Sequence, residues 1–267
     1  MTTRNLMCLS AAAGLMLMAA ACSNDATSPK VTTSTSLIDQ TTLTNDVASS
    51  AGDAIALDIW SIVGNETAAN LGGSAGAPAA ATTDSTSYTR NRTCFDASGT
   101  AVACRPLSNV REIVTVWSFE GIRSGTTDNG ATFSGDMTRA AVDTLFRNFT
   151  DTTETSRTHD GVVTGTDTVT FVGPNVTRTH DQSAVDSVEA VTWNVPRYNN
   201  PFPVSGKIVR NVSVHATYTS ATRSDTTDVQ KRVEVDFPAD AQGNVVLKID
   251  DKTCNLNLVT RHVSDCQ

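Results

Sequence analysis

From Tyr88 onward the apolar residues fall at every second position, and that period limits what the chain can become. The clearest run is Val204 to Tyr218. Val204, Gly206, Ile208, Val212, Val214, Ala216 and Tyr218 share one parity, interrupted by Arg210. Ser205, Lys207, Asn211, Ser213, His215 and Thr217 hold the other. Successive side chains of a strand point to opposite faces, so this is a long strand with one buried face and one wet face. Val229, Val233, Val235 and Phe237 repeat the pattern, followed by Val245, Leu247 and Ile249, then Leu256 and Leu258. Earlier strand candidates are 88–95, 101–105, 110–122, 132–149, 153–159, 162–172 and 176–193. Turn residues separate the runs: Asp128-Asn129-Gly130, Asp160-Gly161, Gly173-Pro174-Asn175, Asn199-Asn200-Pro201 and Gln242-Gly243-Asn244.

About ten strands in chain order, joined by tight turns, predict a mainly β fold. We expect an antiparallel up-and-down meander forming a curled sheet or barrel, with a two-sheet sandwich as the alternative. Thr fills about 15% of positions, and a β-branched, polar residue suits the solvated face of such a sheet. Exposed edges invite aggregation, so the sheet must close or be covered. The cover is one N-terminal helix. Leu43, Val47, Ala51, Ile55, Ile59 and Val63 recur every four residues beside Ile62, with Asp46, Asp53 and Asp58 off the stripe. Thr44 or Asn45 is placed to cap its start, and Gly64 to end it. The chain thus divides into a signal over 1–21, a flexible tether over 22–36, the helix over 37–64, a low-complexity linker over 65–86 and an antiparallel β domain over 87–267.

The signal is an apolar run, Leu6 to Ala21, behind the single cation Arg4. It closes on Met18-Ala19-Ala20-Ala21-Cys22, which resembles the lipobox of bacterial lipoproteins, with Ala19 where that class usually carries Leu. The resemblance implies cleavage before Cys22, lipidation of its thiol, and anchoring of the chain in the cell envelope, at the outer membrane or cell surface. Cleavage by an ordinary signal peptidase, giving a secreted protein, is the alternative. Cysteine arithmetic supports the anchor. Once Cys8 leaves with the signal, Cys22, Cys94, Cys104, Cys254 and Cys266 remain, and the last four form two close pairs suited to disulfides. The body resembles Thr-rich β proteins of bacterial envelopes, a likeness of fold that carries no activity.

Little else points to chemistry. Net charge is −8, which disfavours nucleic acid, and there is no P-loop, dinucleotide fingerprint, H-E-x-x-H or EF-hand loop. Gly72-Gly73-Ser74-Ala75-Gly76 matches the nucleophile elbow but lacks the strand and helix that make one. Two stretches echo each other, Arg157-Thr158-His159-Asp160 and Arg178-Thr179-His180-Asp181. If both reached one end of the sheet, His159, Asp160, His180 and Asp181 would make a divalent-metal set; as turn residues and solvated neighbours they would do nothing. A second echo, Ser134-Gly135 with Arg139 against Ser205-Gly206 with Arg210, suggests a Gly at a bend and an Arg facing inward to a carboxylate, or chance in a Thr/Ser/Gly-rich chain. The expectation is a non-enzymatic structural or binding module without a cofactor, whose partners are the membrane through its lipid and an envelope protein or apolar small molecule. An apolar-ligand carrier and a metal-assisted hydrolase are the alternatives.

Overall fold

A computed structural model describes residues 36–70, 84–126 and 130–267, the side chains of 63–70 and 84–86 excepted. Cys22, the signal, the tether up to residue 35 and the Gly72–Gly76 match lie outside the described residues. From Ser36 on, the chain forms one compact unit. It contains a helix, α1 (Gln40–Asn70), and eleven strands in a single sheet. The strands are β1 (Asp84–Phe95), β2 (Ala101–Val102), β3 (Glu112–Thr126), β4 (Thr132–Thr150), β5 (Thr153–Val172), β6 (Thr177–Asn194), β7 (Ser205–Thr219), β8 (Ser224–Asp236), β9 (Asn244–Ile249), β10 (Lys252–Asn257) and β11 (His262–Ser264). The order β11-β10-β9-β8-β7-β6-β5-β4-β3-β1-β2 is an antiparallel meander, open at both ends. This is the expected curled sheet with one helix.

The expected 153–159 and 162–172 strands are one strand, β5. Asp160-Gly161 has turn chemistry, yet here it forms an irregularity in the pairing with β6, between His159 and Gly161. Asp160 stabilises it by accepting the Ala190 N–H at 2.7 Å, where β6 bends through a positive φ of 50°. Long partners on both sides keep the chain extended, which outweighs the local turn preference.

α1 starts at Gln40, within the expected 37–64 segment but a turn before the expected cap. Asp39, not Thr44 or Asn45, is the cap, accepting from the Thr42 N–H at 2.9 Å and the Thr42 hydroxyl at 2.6 Å. These bonds hold its carboxyl below the usual range. The helix also runs through Gly64 to Asn70. Its apolar stripe, Leu43, Val47, Ala51, Ile55 and Ile59, is buried against Val212, Val214, Ala216, Val233, Leu247 and other residues of β6–β11. Trp60 fastens it further, its indole N–H donating to the Leu258 carbonyl at 2.8 Å.

One residue shows how strongly the sheet curls. The Asp53 carboxylate lies 3.3 Å from Arg123 of β3 and 3.3 Å from Arg261, just beyond β10. Seven strand spacings separate β3 from β10 in the sheet order, roughly 34 Å if the sheet were flat. Arginines rooted that far apart meet on one carboxylate only because the sheet wraps around the helix.

Both expected disulfides are present, Cys94–Cys104 and Cys254–Cys266. The first ties a hairpin at the β1–β2 edge whose turn is closed by the Asp96 N–H to the Thr100 carbonyl. Cys94 lies opposite Val102 rather than Cys104, which reaches it after β2 has ended. The second disulfide pins the C-terminus, where Thr253 and Gln267 exchange backbone hydrogen bonds.

Candidate functional site

The concave face of the sheet carries the most unusual chemistry in the molecule. The three aspartates of α1, off the apolar stripe in sequence, are buried rather than solvated. Asp46, Ser50 and Asp53 follow each other at helical spacing and form a second, polar stripe; Asp58, five residues after Asp53, is buried off that stripe. Asp46 receives a two-pronged contact from Arg178 of β6, at 2.6 and 3.1 Å. Ser50 hydrogen-bonds Gln182 of β6 at 3.0 Å, and its carbonyl accepts from Arg123 at 3.0 Å. The helix therefore turns an apolar side to β7–β11 and a polar side to β3–β6.

Beneath Asp53 and Asp58 lies a lattice of ions rooted in five strands. Arg210 of β7 grips Asp186 of β6 at 2.7 and 3.0 Å and reaches Asp167 of β5 at 3.2 Å. Arg123 of β3 and Arg139 of β4 approach Asp167 at 3.6 and 3.7 Å, and Arg139 lies 3.8 Å from Asp186. All five side chains are fully buried. Asp167 stays below the normal carboxylate range because the charges of Arg139, Arg123 and Arg210 outweigh its burial. Gly165 makes room for this arrangement: a Cβ there would sit 2.4 Å from an Arg139 nitrogen and 2.7 Å from the Thr138 carbonyl. The echo between Arg139 and Arg210 thus has physical content, since both point inward to Asp167 and Asp186.

A second polar cluster surrounds His180. Its ring packs against Phe171 at 5.0 Å and Tyr218 at 6.1 Å, and lies 3.8 Å from Asp46. Burial pushes His180 down to about 4, helped by the charges of Arg178 and Arg123. Burial pushes Asp46 up to about 6 against the pull of Arg178. The two groups have opposite effects on stability. The raised Asp46 contributes stability that is complete below about pH 4 and is lost as pH rises to about 6. The depressed His180 contributes stability that is complete above about pH 6.5 and is lost as pH falls to about 4. The pair offset one another between pH 4 and 6. Asp46→Asn is therefore expected to make the protein weaken on acidification across this window, by up to about 3 kcal/mol at ~1.4 kcal/mol per pK unit. His180→Gln is expected to make it weaken as pH rises. Urea midpoints against pH for the two variants check this; parallel curves would refute it.

The four metal candidates do not come together. His159 and His180 point inward, while Asp160 and Asp181 sit exposed on the outer face. His180 faces Val169 in the register, ten residues along β5 from His159 and so roughly 30 Å away. His159 instead pairs with Asp143 at 3.1 Å and meets the Trp193 ring edge-on at 5.3 Å. Asp181 accepts from the Thr168 hydroxyl at 2.9 Å. Among the described residues, no group of three or more His, Cys, Asp or Glu is placed to hold a metal. The outer face carries shallow grooves, one of about 590 Å³ lined by Thr168, Asp181, Ser183, Ser213, His215 and Gln230. It also exposes Val116, Val142 and Val162, which stand opposite one another across β3, β4 and β5.

The sequence carried two faint signs of the lattice. Arg210 interrupts an otherwise apolar parity, and three aspartates punctuate a helix that must be covered. Their pairing with Arg123, Asp167 and Asp186 depends on which strands curl together, which no local pattern encodes. No family model, curated protein or solved structure matches the chain. Among the described residues, no helix is long and apolar enough to cross a membrane.

Proposed function

We propose that the protein is a lipid-anchored module of the bacterial cell envelope, held at a membrane through Cys22 and acting structurally or by binding rather than by catalysis. The observation that supports this most is the closure of Cys94–Cys104 and Cys254–Cys266. Two stable disulfides suit an oxidising compartment outside the cytoplasm. They also leave Cys22, in its lipobox-like setting, with no partner among these four cysteines. More than one acyl chain at Cys22 would give stable anchoring, at about 0.8 kcal/mol per buried CH₂. The interior fits a structural role: along β6–β11 the concave face is filled by α1, where a carrier of apolar ligands would need an empty lumen. The separation of His159 from His180 removes the ligand set that a metal-assisted hydrolase would have used.

Intact mass spectrometry of the detergent-extracted protein tests the reading. The expected mass begins at Cys22, carries acyl chains and includes two disulfides. An unacylated mass would overturn the anchor. Extra mass that survives native but not denaturing conditions would identify a bound ligand and replace the structural role with a carrier role.

A further inference from the structure

Asp58 is the one aspartate of α1 without a donor. It is completely buried, and neither of its oxygens has a hydrogen-bond partner. The sheet charges that act on it are Arg139 on β4, Asp186 on β6 and Arg210 on β7, in the same lattice as Arg123 of β3 and Asp167 of β5. Asp53 precedes it on the helix and is itself held by Arg123 and by Arg261, beyond β10. Arg210 is hydrogen-bonded to Asp186 and Asp167, whereas Arg139 lies 3.7 and 3.8 Å from the same two carboxylates and none of its three nitrogens makes a hydrogen bond, to Asp58 or to any other group among the described residues. A carboxylate buried beside another carboxylate, with no hydrogen bond donated to it, is strongly disfavoured. A neutral carboxylic acid in the same place has an O–H to give, and Asp186 is the neighbouring acceptor.

We propose that α1 is seated on the sheet by a proton-dependent latch: Asp58 is held as the neutral acid against Asp186, and loss of its proton loosens the helix around Asp58 and Trp60. Burial and the like charge of Asp186 raise the Asp58 carboxyl well above its usual range, opposed by Arg139 and Arg210. A raised carboxyl stabilises the fold at low pH, and that stabilisation is lost as pH rises toward the folded-state value. The latch therefore opens on the alkaline side. Asp46, whose carboxylate is held by Arg178, is not part of it.

Hydrogen exchange on the full chain between pH 6 and pH 9, corrected for intrinsic rates, tests the latch. In the wild type, protection of the α1 amides near residues 54–62 is expected to fall relative to the β4–β6 amides. Release of a single proton allows up to about tenfold per pH unit below the folded-state midpoint, with no further fall above it. Asp58→Asn keeps the shape of the acid and supplies an N–H where the acid supplies its O–H. It is expected to abolish the pH dependence and to be at least as stable as the wild type in urea at pH 7. A wild-type helix whose protection does not fall, a fall that persists in Asp58→Asn, or an Asn variant less stable or unable to fold would each overturn the proposal. The last result would show that the carboxylate is the form seated.

Discussion

Arg210→Ala is expected to lower the unfolding free energy by about 3–5 kcal/mol, the usual cost of removing one partner of a buried ion pair. The reason is the state left behind. Asp186 loses both short contacts from Arg210 and keeps Arg139, at 3.8 Å, as its one cation among the described residues, while Asp167 loses its nearest cation. Both carboxylates stay fully buried, because the helix above and the strands on either side remain in place. The cost is thus mainly that of stranded negative charge, since an isolated buried carboxylate must either protonate or admit water. Thr168→Ala, on the outer face, makes a suitable control and is expected to fall within about 0.5 kcal/mol of the wild type. Urea unfolding of the two variants decides the matter. An Arg210→Ala loss below about 1 kcal/mol would mean that the lattice is hydrated or already neutral, and that α1 rests on its apolar stripe alone.

The second large effect is backbone rather than charge. Gly206→Ala is expected to cost about 3 kcal/mol or more, combining strain and overpacking. Gly206 has φ +99°, and a Cβ there would lie 2.4 Å from the Ala190 carbonyl oxygen and 2.6 Å from the Val191 Cα. Those atoms belong to the bulged part of β6, which Asp160 fixes through the Ala190 N–H, so they have little room to move. Gly99→Ala separates the two causes. It has φ +77° with nothing within 4 Å of an added Cβ, so only backbone strain operates, about 1 kcal/mol. Equal urea midpoints for the two variants would show that the β6 bulge yields, and that close packing at Gly206 contributes nothing.

Legibility followed the range of the interactions. Strands with one wet face announced themselves through alternation, because a strand's period depends on no distant partner. Asp160-Gly161 misled for a related reason: its turn preference is local and small, whereas the pairing of β5 with both neighbours is long. The polar stripe of α1 was the larger surprise. Asp46, Asp53 and Asp58 would mark the solvent side of an ordinary amphipathic helix. Here the sheet continues around the helix and meets that side with Arg178, Arg123, Arg139 and Arg210, so the aspartates are buried. The histidines make the same point in reverse. Their matched contexts suggested proximity, but an antiparallel register placed His159 and His180 far apart along the sheet.

The sequence by itself determined the long strands, apart from the continuity of β5 through Asp160-Gly161, together with their meander order, the helix with its apolar stripe and the two disulfide pairs. Each depends on periodicity, turn residues or short separations along the chain. Only the tertiary structure decided that the sheet curls far enough to bring Arg123 and Arg261 onto one aspartate, that the polar side of α1 is buried, and that Asp58 lies beside Asp186. Those outcomes arise from the accumulated twist and curl of many strands around a helix. Side chains from tens to about two hundred residues apart become neighbours in a medium of low polarity, where the pairing of each charge is settled by its surroundings rather than by its place in the chain.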